Sequence, residues 1–177
     1  KTVLSNWGAA NVAITNYSGE KLGDWFPEKF DRVLLDAPCS MEGLRVSPSH
    51  PFRPISASER QRLAQRQLAL LISAVKAAKV GAEIVYSTCT LAPEENEMVL
   101  QRILQRYPVM VEPVPDWKLS SARPGWSHHQ GYVFPVALQR ALRIYPFPDP
   151  MEGFFIVRLR KTAGLPIRPV NHPVRWL

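Results

Sequence analysis

The first 107 residues alternate two kinds of hydrophobic pattern. Arg32-Val33-Leu34-Leu35 and Glu83-Ile84-Val85-Tyr86-Ser87 are short, nearly unbroken apolar runs, the texture of strands buried on both faces of a parallel sheet. Asn11–Asn16 (NVAITN) reads as a further short strand. Between the two main runs, Leu63, Leu70, Leu71, Ala74 and Ala78 recur at helical spacing. Ser56 and Glu59 form a capping pattern that opens this helix, and Gly81 is its expected stop just after Lys79. The loop before it carries Gly43, Pro48, Pro51 and Pro54, too many breakers for a helix. Gln67 falls inside the apolar stripe, where its amide must find a buried partner, most often a loop backbone group, or be penalised for desolvation. Pro93, followed by Glu94, Glu95 and Glu97, reads as the first turns of a second helix. Its core face is Val99, Leu100, Ile103, Leu104 and Tyr107, and Pro108 ends it.

Residues 108–177 have another texture, with 11 of the 17 prolines. Gly153–Lys161 (GFFIVRLRK) is their clearest strand and is expected to pair with Leu142–Tyr145 (LRIY). The last dozen residues, with Pro166, Pro169 and Pro173, read as an extended tail, which divides the chain into 1–161 and a Pro-rich 162–177. Strand, helix, strand, helix implies right-handed crossovers and an α/β fold: a mostly parallel open sheet with an antiparallel C-terminal strand pair. In such sheets ligands bind beyond the carboxyl ends of the strands.

Composition narrows the picture. At 177 residues and 46% hydrophobic the chain can bury a sizeable core and is not disordered as a whole. Its longest largely apolar run, residues 68–75, is far short of the roughly 20 residues a spanning helix needs. Two cysteines 50 positions apart give neither a disulfide framework nor a zinc ligand set, and their use as free thiols points to a reducing, cytoplasmic compartment. His50, His128, His129 and His172 show no ligand spacing, so no metal is expected. The chain begins with Lys1 and no signal peptide, the expectation for a trimmed or partial sequence.

The net charge is +7, from 22 basic and 15 acidic side chains. Arg45, Arg53, Arg60, Arg62 and Arg66 face only Glu59 in the span 45–66, which fits either a polyanion such as RNA or a solvated basic surface.

The candidate chemistry follows the two buried strands. Asp36-Ala37-Pro38-Cys39-Ser40 comes directly after the first and Ser87-Thr88-Cys89-Thr90 after the second. If the strands are neighbours, about 4.8 Å apart, two thiols and a carboxylate share one rim. Taken alone, each cysteine also reads as a small buried hydrophobe, Asp36 as a turn cap, and the pair as a disulfide. That both thiols follow a buried strand at matching positions weakens these readings.

Asp36-Ala37-Pro38-Cys39-Ser40 together with Tyr86-Ser87-Thr88-Cys89-Thr90-Leu91 resembles the paired motifs of the Nop/Sun family of RNA cytosine-5 methyltransferases. Gly43, Arg45, Pro48, Gln67, the run Pro93-Glu94-Glu95-Asn96-Glu97, and Gly153-Phe154-Phe155 also match, so the resemblance covers roughly residues 11–161. It implies a partial Rossmann-like class I methyltransferase sheet, S-adenosylmethionine as methyl donor, and RNA as substrate, with ribosomal RNA preferred and transfer RNA the runner-up. It implies Cys89 as the thiol that adds to carbon 6 of cytosine, Cys39 as the thiol assisting product release, and Asp36 as the hydrogen-bond partner of the base. Asp36, Pro38 and Ser18 are the implied cofactor contacts. The family's glycine-rich cofactor loop has no counterpart here, which implies weak or no donor binding by this chain alone. Phe147 and Glu152 stand where the family often has His and Asp. The alternatives are a non-catalytic RNA-binding or assembly module on the same fold, and an adenine amino-methyltransferase, which would carry an aromatic where Cys39 stands. The absence of G-x-G-x-x-G argues against a dinucleotide oxidoreductase.

Overall fold

The computed structural model describes residues 6–9, 11–48, 50–51, 53–115, 119–148, 151–166 and 170. A single turn of helix α1 (Leu22–Trp25) leads to strand β1 (Phe30–Asp36). Helix α2 (Ala57–Ala77) runs without a loop into strand β2 (Ala78–Thr88), and helix α3 (Glu97–Arg106) leads to β3 (Val109–Glu112). Short strands β4 (Ala122–Pro124), β5 (His128–His129), β6 (Tyr132–Val133) and β7 (Leu142–Ile144) follow, and β8 (Phe154–Lys161) closes the sheet.

The main sheet has the order β1-β2-β8-β7-β4, with β3 sharing the far edge of β8. The α/β class and the antiparallel β7–β8 pair are as expected. The balance of pairings is more antiparallel than expected: β1–β2 is the parallel pair, and β2–β8, β3–β8, β7–β8 and β4–β7 are antiparallel. The cause is β8, a long strand with alternating burial that inserts beside β2 and recruits β3 and β7 to its other edge.

Among the described residues α2 and α3 pack on one face of the sheet. Leu71 and Val75 of α2, Leu100 and Ile103 of α3, Ile84 and Tyr86 of β2, and Phe155, Val157 and Leu159 of β8 are fully buried in one core. Among the described residues no helix covers the opposite face, which carries an ion-pair ladder, Glu83–Arg158–Glu112–Arg160. Strand β1 is therefore not buried on both faces: Val33 and Leu35 pack on the core while Leu34 is 73% exposed.

Three local expectations are corrected. Asn11–Asn16 is not a strand; Val12 and Ile14 are exposed, and no ladder among the described residues pairs the segment. Ser56 caps α2 by accepting from the Glu59 N–H, as expected, but the helix stops at Ala77 because Ala78 pairs with Phe30 of β1. Gly81 then lies inside β2, at φ +83°, in the stretch looped out between the Phe30–Ala78 and Arg32–Glu83 pairs. Pro93 to Asn96 form a turn and α3 starts at Glu97, which pulls the acidic run out of the helix and into the interior. The tail assigned to 162–177 lies mostly outside the described residues.

Candidate active site

The parallel pairing of β1 with β2 sets Asp36 opposite Ser87, and both strands end at the same rim. The Ser87 hydroxyl donates to Asp36 Oδ1 at 3.0 Å, and the Ala37 N–H donates to the Ser87 carbonyl at 2.9 Å, so the ladder is carried one residue past the strand. The chains then turn toward each other. Cys39 Sγ and Cys89 Sγ meet at 3.1 Å, both half-buried and both free thiols. That separation is well beyond the roughly 2.05 Å of a disulfide. The pair is a hydrogen bond, and its consequences differ for the two sulfurs. Contact with Cys89 and burial push the Cys39 thiol far up, whereas the hydrogen bond from Cys39 lowers Cys89 to about 7. The site thus holds a proton on Cys39 and favours a thiolate on Cys89.

The supports of these two loops come from the acidic turn, which sequence patterning reads as helix N-terminus. Glu95 is fully buried. Its Oε2 accepts from the Ser40 N–H at 3.0 Å and from the Gln67 amide at 2.8 Å, and its Oε1 meets Arg60 at 3.2 Å. Gln67 also donates to the Pro38 carbonyl at 2.8 Å, the loop backbone partner expected for it. Asn96 accepts from the Thr88 hydroxyl at 2.7 Å and donates to the Thr90 carbonyl at 2.9 Å, bracketing Cys89. Glu97 takes a two-pronged contact from the buried Arg143 guanidinium at 2.5 and 2.7 Å, and Arg143 also donates to the Leu91 carbonyl. One acidic turn therefore fixes the Cys39 loop, the Cys89 loop and the C-terminal strands. A buried ion pair like Glu97–Arg143 serves such fixing better than net stability.

Two glycines complete the clamp. Gly43 donates its N–H to the Cys89 carbonyl at 3.0 Å, and the Gly153 N–H donates to the Gly43 carbonyl at 2.7 Å. A Cβ on Gly43 would stand 2.6 Å from the Gly153 carbonyl oxygen and 2.7 Å from that of Cys89, so only glycine allows this approach. Glu152 accepts from the Arg45 N–H, binding the same loop, while Phe147 is 81% exposed. Met41, two residues past Cys39, adopts φ +59°, a left-handed conformation that strains a long side chain. A cavity of about 420 Å³ opens just beyond, lined by Ser40, Met41, Glu42, Leu44, Val46 and His50 among others.

The other expected residues divide. Pro38 is exposed at the rim. Ser18 is not joined to it by any contact among the described residues; its hydroxyl donates to Glu20 Oε2 at 2.5 Å, and Glu20 pairs with Arg66 of α2. Arg53 pairs with Glu59 at 2.7 Å. Arg60 does not present its charge to solvent as expected. It is drawn inward to Glu42 at 2.7 Å and Glu95 at 3.2 Å, since a buried carboxylate needs a counter-charge. Arg45 and Arg62 are exposed, with no side-chain ion pair among the described residues. No cluster of three or more metal-ligating side chains occurs among the described residues, and no described helix is long and apolar enough to cross a membrane.

Sequence reasoning missed the burial of Glu95 and Glu97 and the role of Arg143. Three acids within four residues after a strand was the available signal for the first two; Arg143, 46 positions from Glu97, left none.

Residues 1–160 match the family model described as 16S rRNA methyltransferase RsmB/F. The ribosomal RNA small subunit methyltransferase F of Erwinia tasmaniensis is 39% identical over 168 residues, 94% of this chain and 33% of that protein. The protein of the same name from Klebsiella pneumoniae is 39% identical over 162 residues, 92% of this chain and 32% of that one. This chain thus spans about a third of the length of the curated relatives it matches. Among solved structures, a methyltransferase homolog from Pyrococcus horikoshii has a TM-score of 0.75 at 32% identity, over 89% of this chain and 47% of that one. NSun6 from the same organism, solved with SFG, has a TM-score of 0.73 at 28% identity, over 90% of this chain and 37% of that one.

Proposed function

The chain belongs to the RsmB/F family of 16S rRNA methyltransferases, and on that premise we propose that it is the thiol-bearing part of an S-adenosylmethionine-dependent RNA cytosine-5 methyltransferase acting on ribosomal RNA. One observation carries the reading: two free thiols 3.1 Å apart, beside Asp36, at the carboxyl rim of adjacent parallel strands.

Carbon 5 of cytosine is a poor nucleophile until a thiolate adds at carbon 6 and turns the ring into an enamine. Cys89, lowered to about 7, supplies that thiolate at neutral pH. Asp36, whose Oδ1 is held by Ser87, is at the rim to hydrogen-bond the ring N3 and exocyclic amine, favouring the charge that builds there during addition. Cys39 keeps its proton and donates to the Cys89 sulfur. The same hydrogen bond that favours the thiolate for attack makes it a better leaving group, so once a base from solvent has taken the carbon-5 proton and its electron pair re-forms the 5,6 double bond, Cys39 assists the breaking of the carbon–sulfur bond. The base must be unpaired or flipped out to reach this rim.

S-adenosylmethionine, when bound, supplies an electrophilic methyl group. The relative solved with SFG, an analogue of that donor, supports its use here. Of this chain's residues, Asp36 and Pro38, exposed at the carboxyl end of β1, fit a place beside it. The Ser18 hydroxyl is engaged by Glu20. The wider cell context that fits is the cytoplasm, where free thiols persist and ribosomal RNA is modified.

The test is methyl transfer by the full-length parent to small-subunit ribosomal RNA, read as 5-methylcytosine by mass spectrometry. Wild type is expected to form the product, and Cys89→Ala and Asp36→Asn to lose it by several orders of magnitude and at least tenfold, respectively. Product at wild-type level from Cys89→Ala would overturn the assignment, and no product from any form would favour an RNA-binding module.

A further inference from the structure

We propose that the loop and hairpin after β4 form a second RNA contact: a stacking site for a nucleobase other than the target cytosine. The inference rests on the RNA reading above and extends it to a part of the molecule that the thiol chemistry does not use.

The site is built outward from the buried network. Arg143 lies with its guanidinium 4.1 Å from the centre of the Trp126 ring, a cation–π contact within a desolvated setting. Trp126 is stacked in turn with His129 at 5.1 Å and an interplanar angle of 28°. Guanidinium, indole and imidazole thus form a short column of planar groups. Arg143 is wholly buried and Trp126 and His129 are half-buried, so the column runs from the interior to the surface. At its outer end is a cavity of about 380 Å³ lined by Trp126, Ser127, His128, His129 and Gln130.

Three features select the occupant. The wall offers flat aromatic faces with polar edges and no carboxylate, which suits an uncharged planar heterocycle on an anionic backbone rather than a cation or an aliphatic chain. Gln130 is held at φ +45° and Gly131 at +82°, a hairpin tip with two left-handed residues. A glutamine in that conformation is strained, and in return it puts a donor and an acceptor at the cavity wall. The position is also right. The Trp126 backbone N–H donates to Glu97 Oε1 at 3.0 Å, at the first residue of α3, and Arg143 donates to the Leu91 carbonyl, two residues from Cys89. The hairpin is docked on α3 through the Gln101 amide and the Val133 carbonyl at 3.1 Å. The cavity is therefore anchored to the same acidic turn and loop that hold Cys89. Stacking on a base is sequence-tolerant, so this site would grip the RNA strand and the thiol rim would choose the base.

The test uses the full-length parent and a single-stranded RNA covering the methylated site, with binding and methyl transfer both measured. The variants are His129→Ala and His129→Phe, the second keeping a ring that can stack. Loss of one stacked base by alanine substitution is expected to weaken RNA affinity about tenfold, within the range such contacts give. KM for RNA should rise by a similar factor with kcat little changed, and His129→Phe should restore most of the loss. Abasic residues walked through the positions flanking the target should reveal one position where wild type weakens and His129→Ala does not weaken further. Equal affinity of wild type and His129→Ala, or equal losses at every abasic position, overturns the proposal. The methyltransferase reading is scored separately, by product formation in wild type. Were wild type to make no 5-methylcytosine yet lose affinity through His129→Ala, the stacking site would stand and the catalytic reading would fall.

Discussion

Gly43→Ala tests whether the thiol loops are held by backbone contact. The added Cβ would meet the Gly153 oxygen at 2.6 Å, the Cys89 oxygen at 2.7 Å and the Gly153 carbonyl carbon at 2.9 Å, where 3.4 Å or more is ordinary contact. All three are main-chain atoms, so no side chain can swing away; the strands of the clamp must part by roughly 0.7 Å. Overpacking of this kind costs about 1–3 kcal/mol. Parting also weakens the Gly43 N–H to Cys89 and Gly153 N–H to Gly43 hydrogen bonds, each worth about 1 kcal/mol net. The sum is about 2–5 kcal/mol. With a urea slope of about 2 kcal/mol per molar for a domain of this size, the unfolding midpoint should fall by roughly 1–2.5 M. Gly81→Ala is the control: nothing lies within 4 Å of its Cβ, and only the φ of +83° opposes it, a cost of about 1 kcal/mol. Urea unfolding followed by circular dichroism reads the stability, and the rate of Cys89 alkylation reads the site. Gly43→Ala should lose both, Gly81→Ala only a little stability. A Gly43→Ala protein with a midpoint within about 0.3 M of wild type and unchanged Cys89 reactivity would refute the clamp.

The thiols should titrate apart: alkylation of Cys89 is expected to rise as pH climbs through about 7 and then level off, with Cys39 unreactive in that range. Because the Cys89 pKa is depressed on folding, its contribution to stability is present above the unfolded thiol value and is lost as pH falls through about 7. In Cys39→Ala the donor to the Cys89 sulfur is gone, so the midpoint should move up; peptide mass spectrometry after short iodoacetamide pulses gives both curves. Breaking the buried pair by Glu97→Gln or Arg143→Met should cost about 3–5 kcal/mol each, with the double substitution costing clearly less than the sum in a thermal-unfolding cycle. Arg62→Ala should weaken RNA binding and reduce the salt dependence by roughly 0.7 in log–log slope if it neutralises one phosphate of a single strand. Arg60→Ala should instead lower stability, because it strips Glu95 of its counter-charge; filter binding across a salt series separates the two arginines.

What was legible in the sequence was local or repeated. The two apolar runs marked β1 and β2, the Ser56 cap marked the start of α2, and the matching place of the two cysteines after their strands led directly to sulfurs in contact. Gln67 was legible as a buried amide because it interrupts an apolar stripe, and its partner proved to be the Pro38 carbonyl. What was hidden depends on distant partners. Acids at 95 and 97 look like ordinary helix-start residues unless one knows that Arg60 and Arg143 wait inside for them. The end of α2 was misplaced since no breaker precedes Ala78; pairing with Phe30, 48 positions earlier, converts helix to strand there. Leu34 looks interior because a run of apolar residues does not reveal that α2 and α3 lie on one face. Arg60 looked like surface charge because its spacing from Arg62 and Arg66 says nothing of which side of α2 faces Glu95.

Methyl transfer by this site requires that Cys89, activated by Cys39, bond covalently to the pyrimidine ring. RNA carrying 5-fluorocytosine at the target position cannot lose a proton from carbon 5, so the addition product should persist. Digestion of the trapped complex and tandem mass spectrometry should place the modified nucleotide on the peptide containing Cys89, with no adduct from Cys89→Ala, and Cys39→Ala should accumulate adduct even on ordinary RNA. An adduct mapped to Cys39, or one that survives in Cys89→Ala, would show that Cys89 is not the attacking thiol.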